Sequence, residues 1–180
     1  KDICKIKKVE KMKRLNKKGF TLIELLAVIV IMGILMMVAI PAVTKYMENS
    51  RKDVYVDTLK QYVNAVDTGY TAGYLVCNDS SSSNLYVNLQ DAKELLDSGG
   101  NSPYGGSSIS GYILIDVASN GKNSYTLYVS DGKKNGVSGI EYGDLSRGNI
   151  TTGLSFTNVT GTVTTVNSKV YSRCTVNVNG

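Results

Sequence analysis

Lys17-Lys18-Gly19-Phe20-Thr21-Leu22-Ile23-Glu24 joins a basic flank to a long apolar run and sets one carboxylate near the start of that run. Across the twenty-four residues 20–43, Glu24 is the only ionisable side chain. About 20 mainly apolar residues suffice for a helix to cross a bilayer, so the stretch predicts a membrane-spanning helix. A secretory signal peptide does not fit, because its apolar core is only about 7–15 residues long and a small-residue cleavage site follows it. A plain anchor explains the length and the basic flank but leaves Glu24 without a reason. Carboxylates inside apolar spans are costly and are read as functional by default.

The overall charge of +5 suggests an anionic partner until it is located along the chain. Residues 1–19 hold nine Lys or Arg and two acids, whereas the other 161 residues hold eleven basic and thirteen acidic side chains, a net charge of −2. The basic stretch is the cytoplasmic flank expected from the positive-inside rule. What remains makes no case for a broad nucleic-acid-binding surface, and no direct nucleic-acid partner is expected. With no His or Trp in the chain, a Ser-His-Asp arrangement and an imidazole metal site are excluded. Asp131, Asn135 and Asp144 are possible oxygen ligands, but their spacing matches no cation loop and turns favour Asp and Asn anyway. No metal, cofactor or enzymatic activity is expected. Asn78, Asn149 and Asn158 head short Asn-x-Ser/Thr sequons, a common motif in a sequence so rich in these residues.

Gly19, Phe20, Thr21, Leu22 and Glu24, the aliphatic run behind them and Pro41 together resemble the type IV prepilin signature. The resemblance implies that a membrane prepilin peptidase cuts after Gly19 and methylates the new amino group of Phe20, leaving the apolar helix attached. It implies a type IV pilin-like α+β fold, with a long N-terminal helix packed on a C-terminal antiparallel β-sheet. It also implies a homo-oligomeric helical filament, built with other pilins by a membrane platform protein and an assembly ATPase. The subunit would sit in the cell membrane as a single-pass protein before assembly and in an extracellular pilus at the cell surface afterwards. In such filaments Glu24 of one subunit meets the Phe20 amine of its neighbour, and a head-to-tail contact of that sort builds an open polymer. Gly33 and Pro41 are the expected soft points or kinks of the helix. A minor pilin, a type II secretion-like pseudopilin and a membrane-tethered binding domain that never polymerises are the alternatives. Adhesion, motility, DNA uptake and secretion all use this architecture, and fold does not choose among them.

The expected organisation is a cleaved leader over residues 1–19, a membrane or filament-core helix over 20–44 and an amphipathic helix over 45–76. A loop with a short helix follows over 77–108, then a sheet over 109–180. Met12 is the expected translation start, which gives the short leader Met-Lys-Arg-Leu-Asn-Lys-Lys-Gly. Tyr55, Leu59, Tyr62, Val63, Val66 and Tyr70 recur at three- and four-residue spacing and mark the core face of the amphipathic segment. A Ser-rich loop is expected at 78–84 and a short helix at 90–97. A hairpin is expected from strands at 112–117 and 125–129 around Asn120-Gly121. Further strands are expected at 137–142, 154–159, 162–166 and 170–178. Because Cys4 lies in the leader, Cys77 and Cys174 are left as a candidate disulfide in an exported domain, with two buried free thiols as the alternative.

Overall fold

The computed structural model describes residues 19–97, 99–106 and 108–177. Met12, Cys4 and the rest of the expected leader up to Lys18, together with Val178 of the last expected strand, lie outside the described residues. The chain divides into two units, Lys1–Val43 and Thr44–Gly180. Helix α1, Leu22–Thr71, begins in the first and ends in the second, and both Gly33 and Pro41 fall inside it.

In the second unit, α1 buries Tyr55, Leu59, Tyr62, Val63 and Val66 of the stripe that its three- and four-residue spacing forecasts, half-buries Tyr70, and adds Val56, which the spacing did not mark. Burying a Val or Leu side chain fully is worth about 1.5–3 kcal/mol, so this stripe ties the helix to the sheet. The helix stops because Gly73 takes φ +80°, a left-handed conformation that side chains resist. Tyr74 N then donates to Gly69 O at 2.8 Å and Gly73 N to Tyr70 O at 3.2 Å, the paired bonds of a Schellman cap.

Among the described residues seven strands form one sheet: β1 Leu75–Cys77, β2 Asn84–Asn88, β3 Ile109–Asp116, β4 Ser124–Asp131, β5 Gly136–Glu141, β6 Val163–Val166 and β7 Lys169–Val176. Their order is β1-β7-β2-β3-β4-β5, with β6 also pairing β7. The hairpin expected around Asn120-Gly121 is β3–β4, in register from Ile109↔Asp131 to Asp116↔Ser124. All pairs are antiparallel except β2 with β7, which run parallel. That pair is parallel because the C-terminal strand enters between β1 and β2, which themselves run in opposite directions. Neither β1 nor β2 was expected: β1 is too short to show a period, and β2 follows directly on the polar loop. The short helix expected at 90–97 is a single turn, α2 Leu89–Ala92, continued by a 3-10 turn at Lys93–Leu95.

Alternation along the strands sorts side chains onto two faces. Leu85, Val87, Ile113, Ile115, Leu127, Val129 and Cys174 pack with the α1 stripe in the main core. On the other face Tyr86, Leu114 and Tyr171 form a second, smaller cluster with Tyr112, Tyr128, Val159 and Val166 against it. Tyr112 and Tyr128 stack there at 5.3 Å, and Phe156 meets Tyr128 edge-on at 5.9 Å.

The strand expected at 154–159 does not form; the segment is an irregular strap across that second face. Its apolar-polar alternation is real, but its backbone is answered by side chains in place of a neighbouring strand. Phe156 N donates to Ser130 Oγ at 2.7 Å, and Ser110 Oγ donates to Phe156 O at 3.1 Å. Asn88 does the same for Val159, accepting from its N–H at 2.9 Å and donating to its carbonyl at 3.0 Å. Gly111 N donates to Asn158 Oδ1 at 3.3 Å, and the Tyr86 hydroxyl donates to Gly161 O. Buried backbone groups must be paired by something, and here the polar residues of the sheet face do it.

Candidate assembly site at the N-terminal helix

The candidate site begins where α1 does. Thr21 is the residue before the first helical position, and Glu24 is the third residue of the helix. Thr21 N donates to Glu24 Oε2 at 2.8 Å, and Thr21 Oγ1 donates to the same oxygen at 2.9 Å. Glu24 N returns a bond to Thr21 Oγ1 at 3.3 Å. This reciprocal pattern is a capping box, in which a Thr and a Glu three residues on satisfy donors that the first helical turn leaves unpaired. Glu24 therefore has a role within its own chain, and Thr21, named in the sequence only as part of the signature, is its capping partner, a pairing that the sequence reading passed over. The signal was present as Thr-x-x-Glu before an apolar run. It was masked by the stronger reading of Glu24 as an intramembrane charge.

Gly19 and Phe20 lie immediately before the cap, and Phe20 is 87 % exposed. A Cβ placed on Gly19 or on Gly33 would meet nothing within 4 Å. From Gly19 to Glu48 every residue is exposed, including Leu22, Ile23, Leu25, Ile34, Leu35, Met37 and Val38. The helix is long and apolar enough to cross a membrane. Isolated exposed apolar residues need no explanation, but a contiguous patch larger than a few hundred Å² marks an interaction or membrane surface. Nothing within the unit Lys1–Val43 covers this one among the described residues.

Within Thr44–Gly180, Cys77 and Cys174 are directly opposite in the β1–β7 register and joined by a disulfide. The bond closes a separation of 97 residues, which the chain-entropy account values at about 4.7 kcal/mol before strain. Among the described residues no group of three or more His, Cys, Asp or Glu could hold a metal ion. Asp131 and Asn135 meet, but Asp131 is 4 % exposed and its carboxylate organises the β4–β5 turn. It accepts from Lys133 N at 2.9 Å, Asn135 N at 2.8 Å and Ser102 Oγ at 2.5 Å. Asp144 sits apart, in a 3-10 turn at Tyr142–Asp144. Of the three sequon residues, Asn149 closes a capping box with Ser146 and Asn158 supports the strap, while Asn78 is exposed at the end of β1.

The fold and this junction define a class: a protein with a long N-terminal helix, apolar in its first half, packed in its second half on a mostly antiparallel sheet. The family model of the prokaryotic N-terminal methylation motif matches residues 14–40, so the chain carries the type IV prepilin signature. No curated protein and no solved structure matches the chain. The motif and the apolar helix fit a precursor anchored in the membrane.

Proposed function

We propose that this protein is the structural subunit of a type IV pilus-like surface filament. A prepilin peptidase cuts after Gly19 and methylates Phe20, and the subunit is then polymerised through its N-terminal helix. The observation that carries the reading is the methylation motif at the head of a helix whose apolar half is wholly exposed. Such a surface needs lipid around it before assembly and other helices after it. Glu24 then has two successive tasks, capping its own helix and meeting the Phe20 amine of a neighbouring subunit in a dry bundle, where an unpaired charge would be costly. Gly33 and Pro41 are the soft points that let the helix adjust as subunits pack. The filament forms with the membrane platform protein and the assembly ATPase, alongside other pilins.

Glu24→Gln and Glu24→Ala test the assembly role separately from the cap. Gln serves in a capping box as Glu does, so Glu24→Gln keeps the helix start and removes only the charge. Both variants are expected to enter the membrane and be cut after Gly19, and both are expected to lose surface filaments in immunogold labelling of intact cells. Abundant filaments from Glu24→Gln with none from Glu24→Ala would assign Glu24 to the cap alone. Wild-type labelling confined to fibre tips would favour a minor pilin. An uncut precursor found only at the membrane would favour a tethered domain that never polymerises.

A further inference from the structure

The two sulfurs of the disulfide have unequal surroundings. Cys174 is completely buried on β7, which lies between β1 and β2. Cys77 is half-buried on β1, a strand of three residues whose partner in the sheet is β7. Beside Cys77 opens a groove of about 500 Å³. Tyr70 at the end of α1, Leu75, Ser80, Leu85, Val117 and Asn123 line it, and no lining residue carries a charge.

Thiol-disulfide exchange requires a thiolate to reach one sulfur and displace the other, so access and the leaving thiol's pKa decide which sulfur is attacked. The geometry points to Cys77 as a thiol-exchange site for small uncharged thiols, with Cys174 as its internal resolving thiol. The incoming thiolate enters the groove and bonds to Cys77 Sγ. The Cys77–Cys174 bond breaks, and its electron pair leaves on Cys174 Sγ, which takes a proton. Burial in apolar surroundings disfavours a thiolate, so this forward step is slow. The β1–β7 register keeps Cys174 opposite Cys77. Once deprotonated, it attacks Cys77 Sγ again, re-forms the disulfide and expels the small thiol. While the mixed disulfide lasts, β1 is held to the sheet by its pairing with β7 and by the packing of Leu75 on the core. The bond is thus a clip that opens from the groove side.

The test uses the full chain in detergent micelles with Cys4→Ser. Folded protein is incubated with 2-mercaptoethanol, quenched in acid, alkylated and mapped by mass spectrometry. The mercaptoethanol adduct is expected on Cys77 and the alkyl group on Cys174. The reverse placement, an even distribution, or adducts formed only in urea would overturn the assignment. A second arm presents 2-hydroxyethyl disulfide to the single-thiol variants. Cys77 in the Cys174→Ser protein should react at least about tenfold faster than Cys174 in the Cys77→Ser protein, because access governs the rate; equal rates in folded proteins would overturn the proposal. Should circular dichroism show either variant unfolded, the wild-type mapping decides alone.

Discussion

Replacing Asn88 with Ala should unfasten the strap that stands where the sequence suggested a strand. Asn88 is 2 % exposed and makes both bonds to Val159, donating at 3.0 Å and accepting at 2.9 Å. Each such bond contributes about 1 kcal/mol net, and a buried group left without its partner costs about 1–3 kcal/mol. Val159 is only partly buried, so water recovers some of that penalty and the expected loss is about 2–3 kcal/mol. For a unit of this size the loss corresponds to a fall of roughly 8–12 °C in melting temperature. Near-ultraviolet circular dichroism of the full chain in micelles would follow it, since Tyr86, Tyr112, Tyr128 and Phe156 adjoin the strap. Amide exchange at Val159 should accelerate at the same time. Asn158→Ala is the control: its Nδ2 bond to Gln90 is exposed and its Oδ1 bond to Gly111 N is long at 3.3 Å, so the loss should stay under about 1 kcal/mol. If Asn88→Ala melts within about 2 °C of wild type, the strap is held by its apolar contacts and the hydrogen-bond argument fails.

Three other outcomes follow from the same structure. Burial pushes Tyr62 up to about 12, and burial with the nearby Asp116 carboxylate does the same for Tyr171; burial likewise raises Tyr55 and Tyr125. Between the ordinary value of about 10 and these values the folded state keeps protons that the unfolded state has lost. Stability should therefore hold up to about pH 10 and fall from there towards about pH 12; a melting temperature unchanged over that interval would contradict the assignment. The tyrosinate absorbance band should titrate late in the folded protein and near its ordinary value in denaturant, and the absence of Trp simplifies the reading. Gly111→Ala should cost more than about 3 kcal/mol, because Gly111 has φ +122° and an added Cβ would lie 2.1 Å from Tyr128 O; soluble yield and melting temperature measure it, and a near-wild-type melt would contradict it. Leu59→Ala, at a fully buried position facing the sheet, should cost about 2–5 kcal/mol in the same assay, and a loss below about 1 kcal/mol would mean that the helix stripe is not the core.

Most of what depends on local pattern was legible in the residues alone. The apolar run with Glu24, the three- and four-residue stripe from Tyr55 to Val66, the β3–β4 hairpin and the Thr-x-x-Glu cap are all short-range relations between period, charge and turn chemistry. Gly73 could be read as a helix stop because a left-handed residue there costs a glycine nothing. Tertiary structure alone decided the relations between distant residues. It placed β7 between β1 and β2, making one pair parallel and setting Cys77 opposite Cys174. It also turned 154–159 from a strand into a strap, because Asn88, Ser110 and Ser130 on another layer answered its backbone before any strand could. Alternation states which side chains share a face, but hydrogen-bond partners 26 to 71 residues away leave no mark on it. The same division holds at the N-terminus, where the cap is written in four adjacent residues, while nothing among the described residues of its own unit covers the exposed apolar helix.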